Sequence, residues 1–189
     1  MDPLGAQEQA VYAPGMIQIN TATIGALRDR LLESGGPPSA MVTAPEMLER
    51  ASHPMAGDDQ AIALFEAAFE AMYLMVSVDG TIGAEEHDAL RGAIRALTSN
   101  TIRTAEIDRL SVDCKARLAK EGVEGRLRAV AAALKGEPTA GEAAFILAAA
   151  MAFADNEIAD EENEMLNTFA HLLGIEETRA NELLDQLEG

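Results

Sequence analysis

From residue 58 onward the apolar positions recur every three or four residues, the period of a helix with one buried face. Asp58 to Val78 carries Ile62, Phe65, Phe69, Met72 and Val76 at that spacing. Ala84 to Leu97 turns Leu90, Ile94 and Leu97 inward. Thr104 to Lys120 places Ile107, Leu110, Cys114 and Leu118 on one stripe, and Glu121-Gly122 ends it. Val123 to Lys135 repeats the pattern with Val123, Leu127, Val130 and Leu134, then stops at Gly136-Glu137-Pro138. Thr139 opens a fifth helix, with Glu142 three residues later as a capping box, and the apolar run Ala143 to Ala154 reads as a buried core helix. A sixth covers about Asp160 to Leu173, stopping at Gly174; the last, Glu176 to Leu187, buries Ala180, Leu183, Leu184 and Leu187. No segment has a strand period. The pattern predicts an all-α domain of seven helices over residues 58–189.

Residues 1–57 are punctuated differently. They hold six of the seven prolines, at positions 3, 14, 37, 38, 45 and 54. A short helix fits about Thr23 to Ser34, stopped by Gly35-Gly36-Pro37-Pro38. Another starts at Thr43, with Pro45 and Glu46 in its first turn. "VYAPGMIQI" is apolar without a helical period and suits an extended arm or a linker. The reading is an irregular N-terminal arm with few contacts to the helical core, so that deleting residues 1–57 leaves a soluble, cooperatively melting domain.

Two joints between helices repeat each other. "SVDGTIGAEEHDAL" spans residues 77–90 and "FADNEIADEENEML" spans 153–166. Asp79 matches Asp155, Ile82 matches Ile158, Glu85 and Glu86 match Glu161 and Glu162, and Leu90 matches Leu166, at a constant offset of 76 residues. Two copies in register indicate an internal repeat that relates the first two helices of the domain to the fifth and sixth. A purely structural reading covers much of this. Gly80 and Asn156 tolerate the left-handed turn, and the carboxylates start a helix and complement its dipole. A metal reading covers the rest. Against a helix–loop–helix calcium loop, Asp79, Gly80, Thr81, Ile82 and Glu86 fall at loop positions 5, 6, 7, 8 and 12, as do Asp155, Asn156, Glu157, Ile158 and Glu162. Positions 1 and 3 would be Met75 and Ser77, or Met151 and Phe153, which supply no carboxylate. Each copy is half a calcium loop, suited to weak binding of a hard cation such as Ca2+ or Mg2+. By this spacing the candidate metal residues are Asp79 and Glu86 in the first copy and Asp155 and Glu162 in the second.

Composition narrows the function. With Ala and Leu the dominant apolar residues and no Trp, close-packed helices are favoured over sheets. The net charge of −18 lacks the basic face that nucleic-acid binding requires; it suits solubility, a cation or a basic partner. The lone Cys114 forms no internal disulfide, and on its apolar stripe it reads as buried and inert. His53, His87 and His171 are too scattered for zinc. No run is long enough to span a bilayer and no signal peptide is visible, which predicts a cytoplasmic protein without direct membrane insertion. Neither a nucleophile–base arrangement nor a phosphate loop is present. The chain reads as no enzyme and as needing no organic cofactor.

The motif Asp-Gly-x-Ile-x-x-Glu-Glu at a helix joint, following an Ala/Met/Phe-rich helix and repeated within about 130 residues, resembles the TerB family of tellurite-resistance proteins over roughly residues 58–189. That resemblance implies an all-helical fold with internal pseudo-symmetry. It also implies divalent metal at the joint acids, Asp79, Glu85 and Glu86 in one copy and Asp155, Glu161 and Glu162 in the other. Family members are linked to tellurite and other chemical stress, often beside a membrane partner. The expected function is therefore a helical module that binds a divalent cation and a protein partner. It would sit in a stress-related or membrane-associated complex, peripheral to the inner face of the membrane through that partner. The rival reading is a structural adaptor that docks through its N-terminal arm, with the acidic joints serving only as caps.

Overall fold

The computed structural model describes residues 21–50, 59–78, 82–153 and 160–188. Eight helices are present among them, and no strand: α1 (Thr21–Glu33), α2 (Pro37–Arg50), α3 (Asp59–Met75), α4 (Ala84–Leu97), α5 (Thr104–Leu134), α6 (Pro138–Ala152), α7 (Asp160–Leu173) and α8 (Glu177–Glu188). The all-α expectation holds, and α3 to α8 follow the anticipated helices closely. The third and fourth of those helices are the two parts of α5, which breaks at Gly122.

The centre is built from α3 and α6, which pack on each other. Both are apolar almost all round, as helices enclosed on every side must be. In α3, Phe65, Phe69, Met72, Leu74 and Met75 are buried; in α6, every residue from Ala143 to Ala152 is buried. The many alanines let the two backbones approach closely, while Phe145 and the tilted Phe65–Phe69 pair fill the remaining volume. The other helices cover this pair with one apolar face each. Leu90, Ile94 and Leu97 do so from α4, Met165, Leu166 and Phe169 from α7, and Leu183 and Leu187 from α8. The two repeat units, α3–α4 and α6–α7, thus meet through their first helices.

Helix ends follow local chemistry. Gly35 and Gly174 take positive φ where α1 and α7 stop, and Ile175 N–H closes the end of α7 on the Ala170 carbonyl at 2.9 Å. The start of α6 differs from expectation. Pro138, not Thr139, opens the helix, because a proline in the first turn has no N–H left to satisfy. Glu142 is consequently free of the predicted capping box, and its carboxylate pairs with Arg179 of α8 at 2.7 and 2.9 Å. Helix α2 likewise begins at Pro37, before the expected Thr43, and carries Pro45 in its interior.

The N-terminal segment also differs from the expectation of a loosely attached arm. Its extended stretch, "VYAPGMIQI", lies outside the described residues. Residues 21–50, however, form α1 and α2, which pack on α4 and α3. Ile24, Leu27, Met41, Val42 and Ala44 are buried in the same cluster as α3 and α6. Arg28 donates to Ser99 Oγ at 2.8 Å beyond α4, and Arg30 to the Gln186 carbonyl of α8 at 3.1 Å. Proline and glycine punctuation marks where a chain turns. It says nothing about how tightly the short helices between the turns are packed.

Candidate functional site: the acidic joints and a buried carboxylate

The first joint leads into α4. Gly83 is its N-cap in extended conformation and has no side chain to offer. Glu86 compensates by folding back: its Oε2 accepts the Gly83 backbone N–H at 2.5 Å. This is the glutamate half of a capping box. Glu85 is exposed beside it, and both charges sit in the first turn, where the helix dipole favours them. The second helix start also carries acids, with Asp160, Glu161 and Glu162 in the first turn of α7. Glu161 is exposed, whereas Glu162 is half-buried and engaged. Asp79 and Asp155 lie outside the described residues, as does His53. Among the described residues no three Asp, Glu, His or Cys side chains gather around a common point. The four described glutamates therefore do not assemble a metal centre by themselves, and one oxygen of Glu86 already holds a backbone proton.

A second cluster of charge escaped the sequence reading. Glu70 lies in the middle of α3 and is only 4% exposed. Arg126 grips it in a fork, Nε to Oε1 at 2.7 Å and Nη2 to Oε2 at 3.0 Å. Arg117 adds a third contact, Nη2 to Oε2 at 3.1 Å. Arg126 also binds Glu121 through Nη1 at 2.8 Å, and Arg117 reaches Cys114 Sγ at 3.3 Å. Arg117 Nε is buried without a hydrogen-bond partner. A carboxylate this deep is stable only when paired and hydrogen-bonded, which both arginines supply. The surrounding shifts follow from that geometry. Arg126 is raised chiefly by its hydrogen bond to Glu70, and Glu121 is lowered by its hydrogen bond to Arg126. Burial, reinforced by the Glu70 charge and opposed by Arg117, pushes the Cys114 thiol up to about 12. That thiol is protonated and inert, as its apolar stripe predicts. The available signal for Glu70 was a lone acid among Phe69, Ala71 and Met72, where a surface residue should not fall.

Neither cluster presents a nucleophile and base in contact, and no described helix is long and apolar enough to cross a membrane. Fold and joints together define a class: a helical module with two pseudo-equivalent halves, each with acids at the start of its second helix. The sequence model described as Tellurite resistance protein TerB matches residues 65–185. That is more than half of the chain, and the chain belongs to the TerB family. The match begins inside α3, so α1 and α2 stand outside it. No curated protein and no solved structure matches the chain.

Proposed function

We propose that this chain is a non-catalytic TerB module that binds a divalent cation at its acidic joints and a protein partner. It would act in the response to tellurite or other chemical stress, or in a membrane-associated complex. The duplication of the acidic helix start within the family match carries this reading. A cap needs one carboxylate, yet both joints keep two adjacent glutamates and an aspartate three residues before the helix-side Ile82 or Ile158. The mechanism is electrostatic. A cation shared by Asp79, Glu85 and Glu86, or by Asp155, Glu161 and Glu162, would stiffen the joint and reset the acidic surface that a partner meets.

The Glu86–Gly83 bond favours a second reading, a structural adaptor in which these acids are helix caps alone and docking falls to the N-terminal segment. Calorimetry separates the two. Half-loops should bind calcium or magnesium with Kd of about 10⁻⁴ to 10⁻³ M, the weak end for oxygen-ligated sites. At ten times that Kd, binding adds about 1.4 kcal/mol to stability. Changing both Glu86 and Glu162 to Gln should abolish the heat and the melting shift. No heat with calcium, magnesium, manganese or zinc at millimolar concentration would leave the adaptor reading standing.

A further inference from the structure

Helix α5 is the only covalent link between the two repeat units, and it is broken at one residue. Gly122 has φ 73° and ψ 167°, a conformation outside the helical region and accessible in practice to glycine alone. The sequence on either side explains why a break is required. Before it, α5 buries Ile107, Leu110, Ser111 and Cys114; after it, Leu127, Val130, Ala131 and Leu134. At about 100° per residue, those two sets would face opposite sides of an uninterrupted helix. A straight α5 would be a rod of about 46 Å with its two apolar faces turned apart, one for each half of the molecule. Only the break at Gly122 brings both faces to the same core.

The bend is also clasped. Glu70, on α3, binds Arg117 from the segment before Gly122 and Arg126 from the segment after it. One buried carboxylate thus ties both arms of the bend to the central helix.

We propose that Gly122 is a hinge, latched by Glu70, through which this chain can exchange its half from Val123 onward with a second copy. In the exchanged dimer α5 is straight, and α6 to α8 of each copy pack on α1 to α4 of the other. Every buried contact between the halves is reformed across chains, so the occupant that fits the opened face is the matching half of an identical molecule. The latch and the glycine conformation together hold the chain in its closed, self-paired form.

The test uses the full chain in a Cys114→Ser background. Gln60 Nε2 donates to Glu137 Oε1 at 2.7 Å, which spans the two halves. Cysteines placed at Gln60 and Glu137 and joined by a short thiol crosslinker report which chain each half belongs to. With Gly122 intact the crosslink should be internal. Gly122→Ala, which favours a continuous helix, should give a dimer of twice the 20.0 kDa chain mass, crosslinked between chains and persistent on dilution. A folded Gly122→Ala protein that stays monomeric, or a dimer crosslinked only within chains, overturns the proposal. Should Gly122→Ala not fold, Glu70→Gln provides the reading. Donor- and acceptor-labelled pools of that variant should form mixed dimers about tenfold faster than the parent after partial denaturation. An unchanged rate overturns the latch.

Discussion

Glu70 shows how much one residue can decide. Its carboxylate is held by Arg126, itself only 14% exposed, and by Arg117, which at 38% is substantially solvated. Glu70→Ala leaves Arg117 without its carboxylate and Arg126 with only the more exposed Glu121. Breaking a buried pair costs about 3 kcal/mol at the low end of the usual range, the appropriate end here because solvent screens Arg117. Urea unfolding should show that loss. Cys114 gives a pH signature of opposite character. Its native pKa of about 12 lies above the ordinary 9.0, so the folded chain keeps a proton that the unfolded chain has released. The stability this contributes is complete below about pH 9 and is lost as pH rises toward 12, at a slope of up to about 1.4 kcal/mol per pH unit. Tyr73, raised by burial, adds in the same direction above its ordinary 10.0. Denaturation midpoints at pH 8 and pH 10.5 should therefore converge partly in Cys114→Ala, and the native thiol should ignore alkylating reagents at pH 8.

At the scale of the element, the start of α4 separates capping from charge. Glu86→Gln keeps an oxygen that can accept the Gly83 N–H, so stability should change little. Glu86→Ala removes the acceptor and the first-turn charge and should cost about 0.5 to 1 kcal/mol, read by chemical denaturation. A cation effect that disappears in Glu86→Gln while the fold is unchanged assigns the charge to binding and the geometry to capping. The helix boundaries themselves were legible because their causes are local. Glycine at 35, 122 and 174 takes the positive φ that ends or breaks a helix, and the apolar period defines the runs between. The misplaced starts of α2 and α6 were local as well: Pro37 and Pro138 are good first-turn residues, and reading them only as stops moved each boundary inward.

For the whole molecule, the consequence concerns residues 21–50. Full burial of a side chain such as Ile24, Leu27 or Met41 contributes about 1.5–3 kcal/mol, and all three are enclosed by the common core. Together they approach the total stability of an ordinary domain, about 5–15 kcal/mol. Deleting residues 1–57 should therefore abolish cooperative melting, or lower Tm by well over 10 °C, and expose dye-binding apolar surface on α3 and α4. A truncated chain that melts within a few degrees of the full one would return α1 and α2 to the status of an appendage.

The division between what the chain carries locally and what its packing decided is physical. Helical periodicity, chain-turning glycines, the 76-residue repeat and the acidic helix starts depend on neighbours in sequence, and all were readable from 189 letters. The partners of Glu70 are 47 and 56 positions away along the chain, and no period or spacing announces them. The same holds for α1 and α2, whose apolar residues are too few to signal a core of their own. Their place was decided by the uncovered faces of α3 and α4. Local sequence chooses the backbone conformation because it acts within one turn of helix; burial and charge pairing are chosen by whatever the completed fold brings alongside.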